Sequence, residues 1–210
     1  MIVPELVPPA LVWRAGPGWR MLASTVLGGG LGERTWVLNA QVDAGYARLD
    51  PDQHLRELAA SAGLSGDGVG MLTATDVAAF QLASDGGVDA LATVAIGYPT
   101  WAAAPPEEPP SSPGTINLVI AVPAALSDAA LVNAVATATE AKVQALQEAG
   151  YACTGTASDA ICVAARVDGP AAAFGGPRSL WGARLARAVH AAVLAGLRHP
   201  DGWHGYADKL

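Results

Sequence analysis

The sequence predicts one α/β (or α+β) domain, residues 1–210, with a mixed β-sheet and about three main helices. Three observations predict it. Residues 113–166 read as strand, helix, strand, with the helix long enough to be a crossover. Two further segments, 50–63 and 180–197, carry helix start signals ahead of apolar positions at helical spacing. The remaining apolar runs are short and bounded by Gly, Pro and Asp, as strands are, and hairpin and crossover connections alternate, so the sheet is expected to be mixed.

The central unit is the clearest. Residues 115–122, TINLVIAV, are β-branched and apolar, short enough for a buried strand. Ser127 stands where an N-cap belongs, with Asp128 in the first turn, where a carboxylate suits the positive helix end. Residues 128–149 are Ala-rich and free of Pro and Gly, and Gly150 closes the helix as a C′ glycine. Asn133, Thr137, Glu140 and Gln144 share a polar stripe on it, opposite Val132, Val135, Val143 and Leu146. A loop from Cys153 to Asp159 leads to a second buried strand over 160–167.

Upstream, residues 1–18 are punctuated by Pro and Gly, with Trp13 and Arg14 in a short strand. Residues 19–27 read as a strand, and Gly28-Gly29-Gly30-Leu31-Gly32 as the turn at its end. Residues 35–42 form another strand, with Asn39 in its middle; Asn is depleted there, so Asn39 either ends the strand or faces something polar. Asp50-Pro51 starts a helix that ends at Gly63, with His54 facing solvent. Strands follow at 69–75, 78–84 and 88–97, the last two flanking a hairpin turn at Asp85-Gly86-Gly87. Residues 98–113 hold six prolines and form an extended loop, in which Trp101 either covers a ligand or packs on the body. Ser179 caps the last helix, 180–197, and 199–210 read as a frayed polar tail.

Composition excludes several functions. The net charge is −7 and the chain has two lysines, Lys142 and Lys209, so a phosphate backbone finds few cations and nucleic-acid binding is not expected. There is no Walker A loop, and the glycine run does not fit GxGxxG. Two cysteines, Cys153 and Cys162, are read as reduced, and with no signal peptide the protein is expected to be cytoplasmic. No apolar run reaches the roughly 18 residues of a membrane helix. The four histidines form neither HxH nor HExxH, so no metal site is expected, and no cofactor is evident.

Particular words in the sequence go further. Gly114-Thr115-Ile116-Asn117, the Ser127 to Ala134 run, Ala138-Thr139-Glu140-Ala141-Lys142 and the Thr154 to Ala160 run resemble the adenosylcobinamide amidohydrolase family. So do Gly28 to Leu31, Asn39 with Val42, Asp50-Pro51, Gly70 to Ala74, Ala92-Thr93-Val94 and residues 182–189. Ser158 stands where the family more often has Thr, Tyr98 follows Gly97 where Asn is expected, and the Pro-rich stretch is an insertion. The resemblance implies hydrolysis of the amide between the corrin propionate and aminopropanol of adenosylcobinamide, giving adenosylcobyric acid for cobalamin salvage. The corrinoid is then a substrate, not a cofactor. The alternative is a non-catalytic corrinoid-binding protein of the same fold.

Amide hydrolysis needs an activated nucleophile, a stabilised oxyanion and a protonated leaving amine. No GxSxG elbow is present, so carboxylates and hydroxyls in the family-like words are the candidates. Asp159 and Glu140 are candidate general acid or base; each is equally a structural acceptor. Thr154, Thr156 and Ser158 are candidate oxyanion donors, amide binders or nucleophiles, and Gly155 opens backbone N–H groups among them. Thr115, at a strand start, either displays a hydroxyl to substrate or packs. Asn39, Asn117 and Asn133 could read the substrate's carboxamides. Trp36, Tyr98, Trp101 and Trp181 are available to line a broad apolar corrin site. The long Ala-rich helices leave a homo-oligomer open.

Overall fold

Two β-sheets stacked face to face form the body, and helices cover both outer faces. The computed structural model describes residues 1–105 and 114–199. In chain order the first half contains β1 (Pro4–Val7), β2 (Ala10–Trp13), β3 (Trp19–Ala23), β4 (Gly30–Glu33), β5 (Trp36–Gln41), α1 (Pro51–Ser61), β6 (Gly68–Thr73), β7 (Gln81–Asp85) and β8 (Val88–Ala95). The second half contains β9 (Thr115–Val122), β10 (Ala125–Leu126), α2 (Asp128–Glu148), β11 (Ala160–Arg166), β12 (Ala171–Ala172) and α3 (Leu180–Leu197). One sheet runs β1-β2-β5-β6, the other β4-β3-β11-β9-β8-β7, and β10 pairs with β12. Both large sheets are mixed: β5–β6 and β9–β11 are parallel pairs connected through α1 and α2, and the other ladders in them are antiparallel. The fold is α/β, as the sequence predicts.

Every residue of β8 and β9 is buried, because both faces of the six-stranded sheet are covered. Leu118, Ile120 and Val163 turn toward the helices, where Ala138, Ala145, Leu146, Val189 and Val193 meet them. Val119, Ala121 and Ala164 turn the other way, onto Leu11, Val37, Val69 and Met71 of the four-stranded sheet. The outer face of that second sheet packs Trp36 and Leu38 against Leu55 and Ala59 of α1. The order of layers is therefore helix, sheet, sheet, helix.

The caps at Ser127 and Ser179 are formed, their hydroxyls accepting from Ala130 N (3.2 Å) and Gly182 N (3.1 Å). Asp50 departs from expectation. It makes no cap bond, because Arg48 engages both of its oxygens at 2.9 and 2.8 Å. His54 is half-buried and bonded to the Tyr46 hydroxyl (3.0 Å) rather than facing solvent. On α2 the buried arc is rotated from the expected one: Val132 is exposed, whereas Thr137 is buried and donates to the Gly175 carbonyl (3.0 Å).

Strand limits also differ. The strand expected over 19–27 stops at Ala23, since Ser24 Oγ accepts from Ile161 N and Thr25 Oγ1 donates to Leu27 O. The glycine run turns and then gives the edge strand β4. Residues 77–79 form a 3₁₀ turn capped by Asp76, so β7 begins only at Gln81. The Pro-punctuated start is a β1–β2 hairpin at a sheet edge, a position that tolerates the missing N–H groups of proline. Both cysteines are free and buried. Residues 106–113 of the Pro-rich stretch and residues 200–210 of the tail lie outside the described residues.

Candidate active site

The layer between the sheets is apolar for most of its length and becomes polar at one end. Asn39 of β5 reaches across the gap: its Nδ2 donates to Thr93 Oγ1 of β8 (2.9 Å), and its Oδ1 accepts from Asn117 Nδ2 of β9 (2.9 Å). Asn117 Nδ2 also donates to the Leu72 carbonyl of β6 (3.0 Å). An asparagine inside a strand thus has its reason, as a polar bridge between two sheets. Side chains two residues apart share a strand face. Thr115 therefore stands on the same face of β9 as Asn117, nearer the strand's start. Two buried oxygens at this end, Asn117 Oδ1 and Thr75 Oγ1, have no partner among the described residues.

Thr115 Oγ1 lies 2.7 Å from Ser158 Oγ, and Ser158 donates to the Gly114 carbonyl at 3.1 Å. A serine hydroxyl has a single proton, and that proton is given to Gly114, so Thr115 is the donor in the first bond. The lone pairs of Thr115 Oγ1 are then open. Thr115 itself is buried, whereas Ser158 is exposed at the rim.

Asp159, the residue before β11, organises the surroundings. Its Oδ1 accepts from Ile116 N (2.9 Å) and Thr156 Oγ1 (2.6 Å). Its Oδ2 accepts from Thr156 N (3.2 Å) and from Lys142 Nζ of α2. Ile116 lies one residue beyond the first pair of the β9–β11 ladder, Asn117–Ala160, so Asp159 continues that pairing with a side chain. Both carboxylate oxygens are taken, two donors each, which makes Asp159 an anchor. The ion pair with Lys142 is buried, at 6 % and 11 % side-chain exposure. Gly155 is required beside it: φ is +152°, and a Cβ there would strike both the Asp159 carboxylate and Lys142 Nζ.

Thr154 turns the loop toward the Pro-rich segment. Its Oγ1 accepts from Ala102 N (2.8 Å) and donates to Thr100 O (3.2 Å), while Thr100 N bonds Gly155 O (2.8 Å). Trp101 is consequently held beside the loop and is 49 % exposed. Burial raises the pKa of the Cys153 thiol in the same loop, opposed by the Gly155 backbone.

The structure brings together Thr115, Asn117, Asn39, Thr154, Gly155, Thr156, Ser158 and Asp159, eight of the residues singled out by sequence. It does not bring in Glu140 or Asn133. Glu140 is exposed on α2, two positions from the inward-pointing Lys142 and so on the opposite side of the helix. Asn133 lies about 14 Å along the helix from Lys142 at 1.5 Å per residue, with its Oδ1 over Gly176. Trp36 packs under α1, and Trp181 stacks with Arg184, whose guanidinium donates to Gly86 O at the far end of β8. Lys142 was not singled out. Its signal was position: one of two lysines, it lies four residues after Ala138 and three before Ala145, on the arc that α2 buries. Among the described residues no group of three His, Cys, Asp or Glu side chains could hold a metal ion.

Two clefts open at opposite ends of β5. One of about 350 Å³ opens at the end of β5 between Pro9, Gln41, Val42, Asp43, Tyr46 and His54. The larger, about 380 Å³, is lined by Arg34, Trp36, Arg56 and residues 64–68 at the other end of the same strand, and contains none of the clustered polar residues.

The sequence profile of the adenosylcobinamide amidohydrolase family matches residues 4–205. The chain belongs to the adenosylcobinamide amidohydrolase family. An adenosylcobinamide amidohydrolase of Methanosarcina mazei is 32 % identical over 183 residues, covering 83 % of this chain and 88 % of that protein. Another, of Halobacterium salinarum, is 34 % identical over 206 residues, covering 89 % and 84 %. This family member is a hydrolase acting on an amide.

Proposed function

We propose that the protein hydrolyses the amide joining the corrin propionate to aminopropanol in adenosylcobinamide, releasing adenosylcobyric acid for cobalamin salvage. The observation that carries the reading is the Thr115–Ser158 hydroxyl pair, held at the mouth of the inter-sheet seam in a chain of this family. Thr115 Oγ1 is the nucleophile. As it bonds to the propionamide carbon, its proton passes to Ser158, and Ser158 gives its own proton to the departing aminopropanol nitrogen. Water then cleaves the ester and restores the Thr115 hydroxyl. Asp159 and Lys142 are positioning residues: they fix Ile116 and Thr156, and with them the approach of the two hydroxyls. Trp101 offers the flat corrin a stacking face beside the loop.

The test is incubation with adenosylcobinamide, with products separated by chromatography and weighed by mass spectrometry. Cobyric acid and free aminopropanol are expected from the wild type, and Thr115→Val should lose at least about 10²-fold in kcat, the scale of losing a nucleophile or proton-transfer partner. Unchanged adenosylcobinamide at high enzyme sinks the reading.

A further inference from the structure

The intact chain gives Thr115 a nucleophile's position without a base. Its hydroxyl touches Ser158, and the Ser158 proton is spent on the Gly114 carbonyl. The carboxylate at hand, Asp159, has two donors on each oxygen. The relay therefore ends on a peptide carbonyl, which does not titrate. That carbonyl belongs to the bond immediately before Thr115. Gly114 is buried and cannot accept a side chain, since a Cβ would lie 2.6 Å from Gly97 N, so the bond is held in place.

We infer that the protein cuts its own chain between Gly114 and Thr115, and that in the mature enzyme the freed α-amine of Thr115 takes over from Ser158 as acceptor of the Thr115 hydroxyl proton. The inference rests on Thr115 being the nucleophile. In the processing step Thr115 Oγ1 bonds to the Gly114 carbonyl carbon, its proton moves to Ser158, and the Ser158 proton moves to the carbonyl oxygen. Collapse of this tetrahedral species breaks the C–N bond, and the proton on oxygen returns through Ser158 to the nitrogen, leaving an ester and an amine. One water hydrolyses the ester to the Gly114 carboxylate and the Thr115 hydroxyl. The balance is one peptide bond and one water consumed. An α-amino group ordinarily titrates at about 7.7–8.0, well placed to take a proton from the hydroxyl of its own residue near neutral pH, an arrangement known for N-terminal threonine nucleophiles.

Intact-mass measurement of the purified full chain, during incubation at neutral pH, tests this. The expected result is loss of the 21.2 kDa species in favour of pieces spanning 1–114 and 115–210. Thr115→Val, with its fold checked by far-UV circular dichroism, stays whole, and Ser158→Ala is cut about 10²-fold more slowly. Thr115→Ser, which keeps the hydroxyl, is still cut. A wild type that remains whole overturns the inference. If that preparation turns over adenosylcobinamide, the amidohydrolase reading is untouched. Pieces without turnover support the cut and sink the amidohydrolase reading. The same pieces from Thr115→Val point to a contaminating protease and also overturn the inference.

Discussion

Removing either half of the Lys142–Asp159 pair leaves a buried charge without its partner. Lys142→Met should therefore destabilise the protein by about 3–5 kcal/mol, read as a shift in the urea midpoint at unchanged slope. Exchange of both groups together should cost less than the two single changes summed, because a buried pair replaced by apolar groups is often close to neutral. If the single and double exchanges are additive, the pair is not coupled in solution as it is in the structure. Glu140→Gln is the contrasting case. Exposed and without an ion pair among the described residues, it should alter turnover by less than about 3-fold and stability by about 0.5 kcal/mol or less. A loss of kcat on the scale of Thr115→Val would return Glu140 to the machinery. At this scale the sequence was informative about hydroxyls and silent about cations. The strand-interior Asn39 was legible because Asn is depleted in strands, and the TGTASD run because it is among the stretches that resemble the family. Lys142 was not, because a lysine on a helix is ordinarily solvated, and only the depth of packing decides otherwise.

Burial holds the Cys162 thiol neutral on β11, with its pKa pushed up to about 12. An unfolded thiol ionises near 9. From that pH upward the unfolded chain sheds a proton that the folded chain keeps, so stability falls between pH 9 and about 12. Cys162→Ala should flatten that part of a urea-midpoint against pH curve; an unaltered slope would assign it to other groups. Packing between elements is similarly exposed to test. Leu118 of β9 is fully buried against the helices, and Leu118→Ala should cost about 2–5 kcal/mol in thermal or chemical unfolding. All three helices were legible from caps, a Pro at N1 and alanine content, since those signals are local. Strand ends were not. Where β3 stops is decided by Ser24 bonding Ile161, 137 residues away in sequence, and no window of neighbouring residues contains that.

At the scale of the whole molecule, the apolar runs over 115–122 and 160–167 read as buried strands. What covered them was hidden: nothing local says that a second sheet, rather than more helices, lies on one face. That choice determines where the polar seam lies, because it exists only between the sheets. Trp101 tests how the seam opens to a large flat ligand. Trp101→Ala should raise KM for adenosylcobinamide several-fold with kcat nearly unchanged, the pattern of lost uniform binding; a selective fall in kcat would place the indole at the reacting bond instead. Among the described residues no helix is long and apolar enough to cross a membrane.

The pairing of β8 with β9 has a practical corollary. These strands are antiparallel neighbours from Asp89–Ala121 to Ala95–Thr115 and lie on either side of Gly114. A chain severed at that point would remain one body, its halves interlocked through the middle of a sheet, and would elute from a sizing column as if whole. By the same logic the halves, produced as separate polypeptides in one cell, should complement each other, while either alone would present half a sheet with a raw edge and aggregate.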